Sequence, residues 1–259
     1  LGTCSSFHIG YKYAKLGYTT VFEPATLPSN ARSAIIEMND IPLIDKGTYT
    51  VLSNDDFLLK LIQKKSNQKK INDYVAWIIQ STKSLGIKIV NPGGINAFKF
   101  NQRELDLDEK NKKYNITPRS ILKVLTKSLI DLKAPHPIHV HGCNLGVPGN
   151  IKTTVKQINA VEGKPMHLTH IQYHSYNNEG DRKFSSGASI LAEEINKNKN
   201  KANHNEEVIS LLKSIYGNDF YDKTINKLSS IEFNELCGNL IKGIPISTPV
   251  FDGAKEKNV

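Results

Sequence analysis

The apolar positions of this chain fall in short runs separated by longer stretches of helical spacing, up to about residue 196. Ser5 to Leu16 places His8, Ile9, Tyr11, Tyr13, Ala14 and Leu16 at helical intervals, and Gly17 stands where a helix C-cap glycine belongs. Thr19 to Pro24 then reads as a strand closed by its proline, with Glu23 near its C-terminal end. Tyr49 to Ser53 is the next strand, followed by Asn54 and Asp55 as N-caps of a helix through Leu59 and Ile62. A helix from Ile71 to Leu85, ending at Gly86, precedes the strand Ile87 to Val90 and an Asn-Pro-Gly-Gly turn. Thr117-Pro118 is a capping residue followed by proline at the first helical position, and opens a helix to about Lys133. Two histidine-bearing apolar runs follow, both read as buried strands, with a helix through Val155, Ile158 and Val161 between them. A last amphipathic helix spans Ser185 to Asn196.

Apolar strands alternating with helices predict a parallel sheet covered by helices on its faces. The unit repeats about five times, whereas a closed α/β barrel needs eight strands. The expected fold is therefore α/β, a partial, incomplete TIM-like barrel with parallel strands. After Asn196 the texture changes. Residues 197–206 form a polar Lys/Asn-rich linker, and 207–259 is expected to be a short, mostly helical segment, with helices at Glu206 to Tyr216 and Ser230 to Ile241 before a turn-rich tail.

Composition narrows the class. With 259 residues, 39% apolar and 23% charged, the chain has the balance of an ordinary soluble globular protein. It lacks an apolar run of about eighteen residues for a bilayer and a basic start with an apolar segment for secretion, so no membrane association and a cytoplasmic location are expected. The three cysteines, Cys4, Cys143 and Cys237, have no short spacing between them and suit a reducing compartment. A net charge of +9 comes from lysines scattered among asparagines and isoleucines, with few aromatics between them, which makes nucleic acid an unlikely partner. Because the chain starts at Leu1 rather than Met, it reads as a fragment.

The candidate chemistry lies between His136 and His174, where six of the eight histidines fall. Alternation along a strand puts His139 and His141 on one side and Val140 on the other. Imidazoles in an apolar strand are costly unless hydrogen-bonded or metal-bound, although His136, His167 or His174 taken singly reads as a satisfied core residue. One strand earlier, Lys88 alternates with isoleucines. Burial would pull its pKa down and free a nucleophilic amine, for a Schiff base, for base catalysis, or for a carbamate able to bridge two metals. The competing reading is a lysine snorkelling to the sheet rim. The order of a strand lysine and then two strand histidines, each one β/α unit apart, favours a site.

These residues carry a resemblance. Gly-Tyr-Thr-Thr-Val-Phe-Glu-Pro-Ala (17–25), Gly-Ile-Lys-Ile-Val-Asn-Pro-Gly-Gly (86–94), His-Pro-Ile-His-Val-His (136–141) with Asn-Leu-Gly-Val-Pro-Gly-Asn (144–150), and Met-His-Leu-Thr-His-Ile-Gln-Tyr-His-Ser-Tyr (166–176) resemble the A-type subunit of formylmethanofuran dehydrogenase and of the formyltransferase/hydrolase complex. The resemblance runs from about residue 6 to residue 196. It implies a branch of the amidohydrolase superfamily, a metal-dependent α/β barrel whose dinuclear zinc site condenses formate with methanofuran or hydrolyses the resulting formamide. Lys88 then matches the carboxylated bridging lysine, and His141 and His170 the strand-five and strand-six ligands. His139, Cys143, Asn144 and His174 would line the substrate or support the ligands. The other subunits of such a complex and a methanofuran-type substrate are the implied partners.

Three departures qualify the match. The family's strand-one His-x-His is absent upstream of Lys88, the strand-eight aspartate that serves as general base is absent, and Gly142-Cys143-Asn144 replaces the family's Cys-Asn-Asn. No complete catalytic set is therefore expected. The tail differs in kind: Leu-Cys-Gly-Asn-Leu-Ile-Lys-Gly-Ile-Pro-Ile-Ser-Thr-Pro-Val-Phe-Asp-Gly-Ala-Lys-Glu (236–256) resembles the bacterial RNA polymerase β subunit. The chain thus reads as two unrelated fragments joined, the second a candidate contact for RNA polymerase or nucleic acid.

Overall fold

A computed structural model describes residues 5–95, 101–102, 105–180 and 183–202. The chain divides into a unit from Leu1 to Leu191 and a second from Ala192 to Val259. In the first, helix α1 (Ser6–Lys15) leads into strand β1 (Thr20–Thr26), helix α2 (Ala31–Asn39) into β2 (Asp45–Val51), and α3 (Asp56–Gln63) with α4 (Gln68–Thr82) into β3 (Gly86–Val90). Helix α5 (Pro118–Asp131) precedes β4 (Ile138–His141), and α6 (Ile151–Ala160) precedes β5 (Met166–Leu168). A small antiparallel pair, β6 (Tyr176–Asn177) and β7 (Ser185–Ser186), comes before α7 (Ala188–Ala202).

The five strands form one sheet in the order β1-β2-β3-β4-β5, every pair parallel. With an order that never reverses, the right-handed crossovers that are the rule for parallel strands would lay successive helices on the same face, as in a barrel wall. The core agrees with this. Ile87, Ile89, Ile138 and Val140 point to one face and join Leu58, Leu59, Val75, Ile121, Leu122 and Leu125 of α3, α4 and α5 in a single cluster. Each such side chain contributes about 1.5–3 kcal/mol by leaving water. The alternate residues Tyr49, Lys88, His139 and His141 occupy the opposite face, so the helix-covered side is one, and the polar side is the inner wall of an unclosed barrel.

Capping chemistry explains the helix starts. Asp55 accepts the Leu58 N–H at 2.8 Å, Asn67 the Lys70 N–H at 2.9 Å and Thr117 the Ser120 N–H at 3.2 Å. Asn54 is not a cap: its amide donates to the Val90 carbonyl at 2.6 Å and ties β2 to β3. Gly17 does follow α1 with φ +88°. The helix expected to end at Gly86 instead ends at Lys83, which takes the left-handed conformation at φ 55°, and Gly86 opens β3.

Three expectations are corrected. Pro24 does not close β1, which continues to Thr26 with a register shift between Glu23 and Thr26; as an outer strand it tolerates a residue without an N–H. The run from Met166 to His174 is not one buried strand. It leaves the sheet after Leu168, because His170 is left-handed (φ 50°) and opens a 3-10 turn over Ile171–His174. The last helix starts at Ala188 rather than Ser185, and it runs on to Ala202 through the start of the polar stretch. No glycine or proline interrupts that stretch, and Asn198 donates to the Glu194 carbonyl at 3.0 Å. The helices and tail expected beyond residue 202 lie outside the described residues. Among the described residues no helix is long and apolar enough to cross a membrane.

Candidate functional site

The inner wall gathers its chemistry through strand register. Lys88 on β3 pairs with His139 on β4, and His139 with His167 on β5. One row therefore carries an amine and two imidazoles. Lys88 is 3% exposed, so the snorkelling alternative fails; its Nζ lies 2.7 Å from His139 Nδ1 and 3.2 Å from Thr169 Oγ1. Burial lowers the Lys88 pKa to about 8. The His139 ring is stacked between Tyr49, at 5.0 Å and 14°, and His167, at 4.4 Å and 10°. Burial first, and then the positive charge of Lys88 and the neighbouring histidines, pushes His139 down to about 2. His139 is accordingly a neutral imidazole, with Nδ1 and the lysine Nζ sharing a hydrogen bond.

His141, two residues on, ends β4 opposite Val90. Its ring meets that of His170 edge-on at 5.3 Å and that of His174 at 5.6 Å. Burial lowers both His141 and His174 to about 4, leaving their lone pairs available at neutral pH. His170 is exposed and reaches this group because the turn after β5 folds back, the Tyr173 N–H bonding the His170 carbonyl at 2.8 Å. His174 is 2% exposed, and neither ring nitrogen has a hydrogen-bond partner among the described residues.

The loop after β4 is held by one side chain that pattern reading missed. Asn150 donates to the carbonyls of Asn144 at 2.9 Å and Tyr173 at 2.7 Å, and accepts the Tyr176 N–H at 2.9 Å. It staples the turn bearing His170 and His174 to the loop bearing Asn144, which is left-handed at φ 59°. Cys143 is fully buried and its thiol is raised to about 12 by burial; at neutral pH it packs as a small apolar group. Its N–H meets Gln157 Oε1 at 3.3 Å. Glu23 is not gathered here: it is exposed and takes the Ala25 N–H on its own strand. His136 lies at the other end of β4, edge-on to Tyr49 at 6.0 Å and to Phe22 at 6.5 Å, in keeping with a core role. Thr169 was also missed, since its neighbours His167 and His170 drew the chemical reading.

What the arrangement offers is a buried amine, neutral imidazoles on β4, the His170 ring just past β5, and an unpaired buried ring beside them. The donor set fits a metal ion in part. Among the described residues no three His, Cys, Asp or Glu side chains are placed to hold one by themselves, so a bound ion would also need Lys88-derived or further ligands.

No family model matches the chain. It is 38% identical over 189 residues to the A-type subunit of the formyltransferase/hydrolase complex Fhc of Methylorubrum extorquens, covering 73% of this chain and 34% of that protein. It is 38% identical over 206 residues to protein FwdA of Methanocaldococcus jannaschii, covering 75% and 36%. The fold matches the crystal structure of the formyltransferase/hydrolase complex FhcABCD from M. extorquens, solved with methylofuran, at a TM-score of 0.74 and 37% identity over 76% of this chain and 36% of that one. A separate C-terminal piece is 48% identical over 54 residues to the RNA polymerase subunit beta of Acidiphilium cryptum, 21% of this chain and 4% of that protein. Both resemblances drawn from the motifs are thereby borne out, and the chain spans about a third of the length of its first two relatives.

Proposed function

We propose that residues 6–196 are part of a zinc-dependent amidohydrolase-type subunit of one-carbon metabolism that condenses formate with methanofuran or hydrolyses formylmethanofuran. The observation that supports it best is the placement of Lys88, His141 and His170 on or just past three neighbouring strands, the position of catalytic groups in α/β barrels. Lys88 is the residue read as carboxylated. His141 and His170 are the ligands to one metal, with His139, Cys143, Asn144 and His174 around them. Bound zinc supplies Lewis-acid chemistry, polarising a carbonyl and lowering the pKa of water. The chain's own residues keep His139, His141 and His174 neutral by burial, hold the lysine amine and wall one side of the site. The partners are the other subunits of a formyltransferase/hydrolase or formylmethanofuran dehydrogenase complex, in the cytoplasm.

These 259 residues taken alone are expected to be inactive. They carry no His-x-His before Lys88 and no match to the family's strand-eight aspartate, and loss of a general base costs about 10² to 10⁴ in rate. Elemental analysis tests the metal site: zinc at less than full occupancy, lost in His141→Ala and His170→Ala. Purified wild-type protein that holds no metal under zinc supplementation refutes it, and formamide hydrolysis abolished by Lys88→Ala refutes the expected inactivity.

The polymerase-like piece supports a second reading, that the C-terminal fifth is a non-catalytic contact for RNA polymerase or nucleic acid. Salt-dependent DNA binding lost on deleting residues 203–259 is its test.

A further inference from the structure

The backbone ladder between β2 and β3 ends at the pair Val51 and Lys88, where the Leu52 N–H still bonds the Lys88 carbonyl at 3.2 Å. Beyond it the chain turns away toward α3, and side chains take over the pairing. Val90, two residues past the lysine, gives its N–H to Ser53 Oγ at 2.9 Å, and its carbonyl accepts the Ser53 hydroxyl at 3.1 Å and the Asn54 amide at 2.6 Å. The next residue bonds the other neighbour: the Asn91 N–H donates to the His141 carbonyl at 2.9 Å. The turn that follows is tied to the same two side chains' segment. The Gly93 N–H bonds the Ser53 carbonyl at 3.2 Å and the Ile95 N–H bonds Asn54 Oδ1 at 3.2 Å, with Asn91 at φ 38°, in the left-handed region that asparagine tolerates better than most residues. Ser53 and Asn54 thus join three strand ends: that of β2, just before them, that of β3 beyond Lys88, and that of β4 at His141.

We propose that Ser53 and Asn54 are positioning residues for a divalent metal ion, fixing the end of β3 so that Lys88 and His141 keep the spacing that a shared ion needs. The proposal rests on the reading of Lys88, His141 and His170 as metal ligands. The stretch from Lys88 to Asn91 is the link between the first two: covalent backbone at one end and the hydrogen bond to the His141 carbonyl at the other. Val90 lies in the middle of that link, and both of its backbone polar groups are held by the clamp. Freed there, the end of β3 turns without breaking the strand, and the lysine shifts against the imidazole. Ser53 is fully buried, so water does not replace its bonds when they are removed. Groups that support metal ligands from outside contribute about 10- to 100-fold to metal affinity without touching the ion.

Cobalt(II), whose visible absorption reports its ligands, is the probe, added to the full chain of 259 residues. Wild type should bind it and His141→Ala should not. Asn54→Ala is expected to bind roughly tenfold more weakly, the low end of what an outer support contributes, with a shifted visible spectrum. Asp55→Ala, at the next residue, loses the α3 cap and is the control: it lowers stability but should leave cobalt affinity and spectrum as in wild type. Wild-type affinity and spectrum in Asn54→Ala overturn the positioning role while leaving the metal reading in place. An equal loss in Asp55→Ala does the same, since it traces the effect to stability alone. No cobalt bound by wild type, or undiminished binding by His141→Ala, overturns both. Should Asn54→Ala fail to fold, Ser53→Ala, which removes two of the bonds to Val90, makes the same comparison with the same outcomes.

Discussion

Replacing Lys88 by methionine should stabilise the metal-free protein at neutral pH and destabilise it in alkali. An amine carried from its ordinary value of 10.5 to about 8 by burial disfavours the charged folded state by about 3 kcal/mol, at about 1.4 kcal/mol per tenfold change. Against this stand two hydrogen bonds, to His139 and Thr169, worth about 1 kcal/mol each. The variant should therefore gain roughly 1 kcal/mol at pH 7. Below about pH 8 the lysine is protonated in both states and the folded state bears the whole cost. Between about 8 and 10.5 the unfolded chain binds a proton that the folded one does not, so stability rises with pH. Above that range the cost is gone and the wild type keeps its hydrogen bonds. Urea unfolding of chelator-treated protein, followed by far-ultraviolet circular dichroism at both ends of this range, should show the two stabilities crossing. The difference between variant and wild type cancels the titration of the other lysines and tyrosines. An unchanged difference at the two pH values would refute the buried-amine argument.

The same logic applies with acid. His141 and His174 are held near 4 and His139 near 2, so below about pH 6.5 the unfolded chain takes up protons that the folded one refuses. Stability should fall by up to about 1.4 kcal/mol per pH unit for each histidine; proton uptake on unfolding at mildly acidic pH measures it, and no uptake would sink it. Asp55→Ala removes the acceptor of the Leu58 N–H and of the Tyr74 hydroxyl, both at 2.8 Å, and should cost about 1–3 kcal/mol in urea unfolding; Asp55→Asn should recover part of it. Gly142→Ala would set a Cβ 2.4 Å from Gln157 Oε1, displacing the amide that meets the Cys143 N–H, and is expected to lower stability by about 1–3 kcal/mol; a neutral result would show that the Gln157 side chain yields freely.

The strand framework was legible because each strand of a covered parallel sheet is a short apolar run, and Ile87 to Val90 and Ile138 to His141 are such runs. Helix α2 was not anticipated, although Ala31, Ala34, Ile35 and Met38 repeat at helical spacing. The second histidine run misled for a physical reason. Its apolar residues, Met166, Leu168 and Ile171, alternate well enough for a strand, but the left-handed backbone at His170 is a tertiary outcome, fixed by Asn150 gripping the Tyr173 carbonyl.

At the site, alternation placed His139 and His141 on one face and set Lys88 opposite its flanking isoleucines, since period two is intrinsic to a strand; that the lysine and the histidines share a face follows from the register. It could not show that Thr169 completes the lysine's surroundings, because that contact joins β3 to the residue just beyond β5 and depends on register across two pairings. Among the described residues the sheet ends at β1 and β5, the first and last of the five strands that the pattern predicts. Those two outer strands differ in consequence. Pro24 and the register shift beside it interrupt the free edge of β1, a device that discourages pairing with another chain. β5 has only Met166, His167 and Leu168, with nothing charged among them. Association of this chain should therefore proceed through β5, and an added charge at the exposed His167 is the change that opposes it. Sedimentation of wild type against His167→Lys over a range of concentrations decides the point: the variant should stay monomeric where the wild type associates, and equal association would place the contact elsewhere.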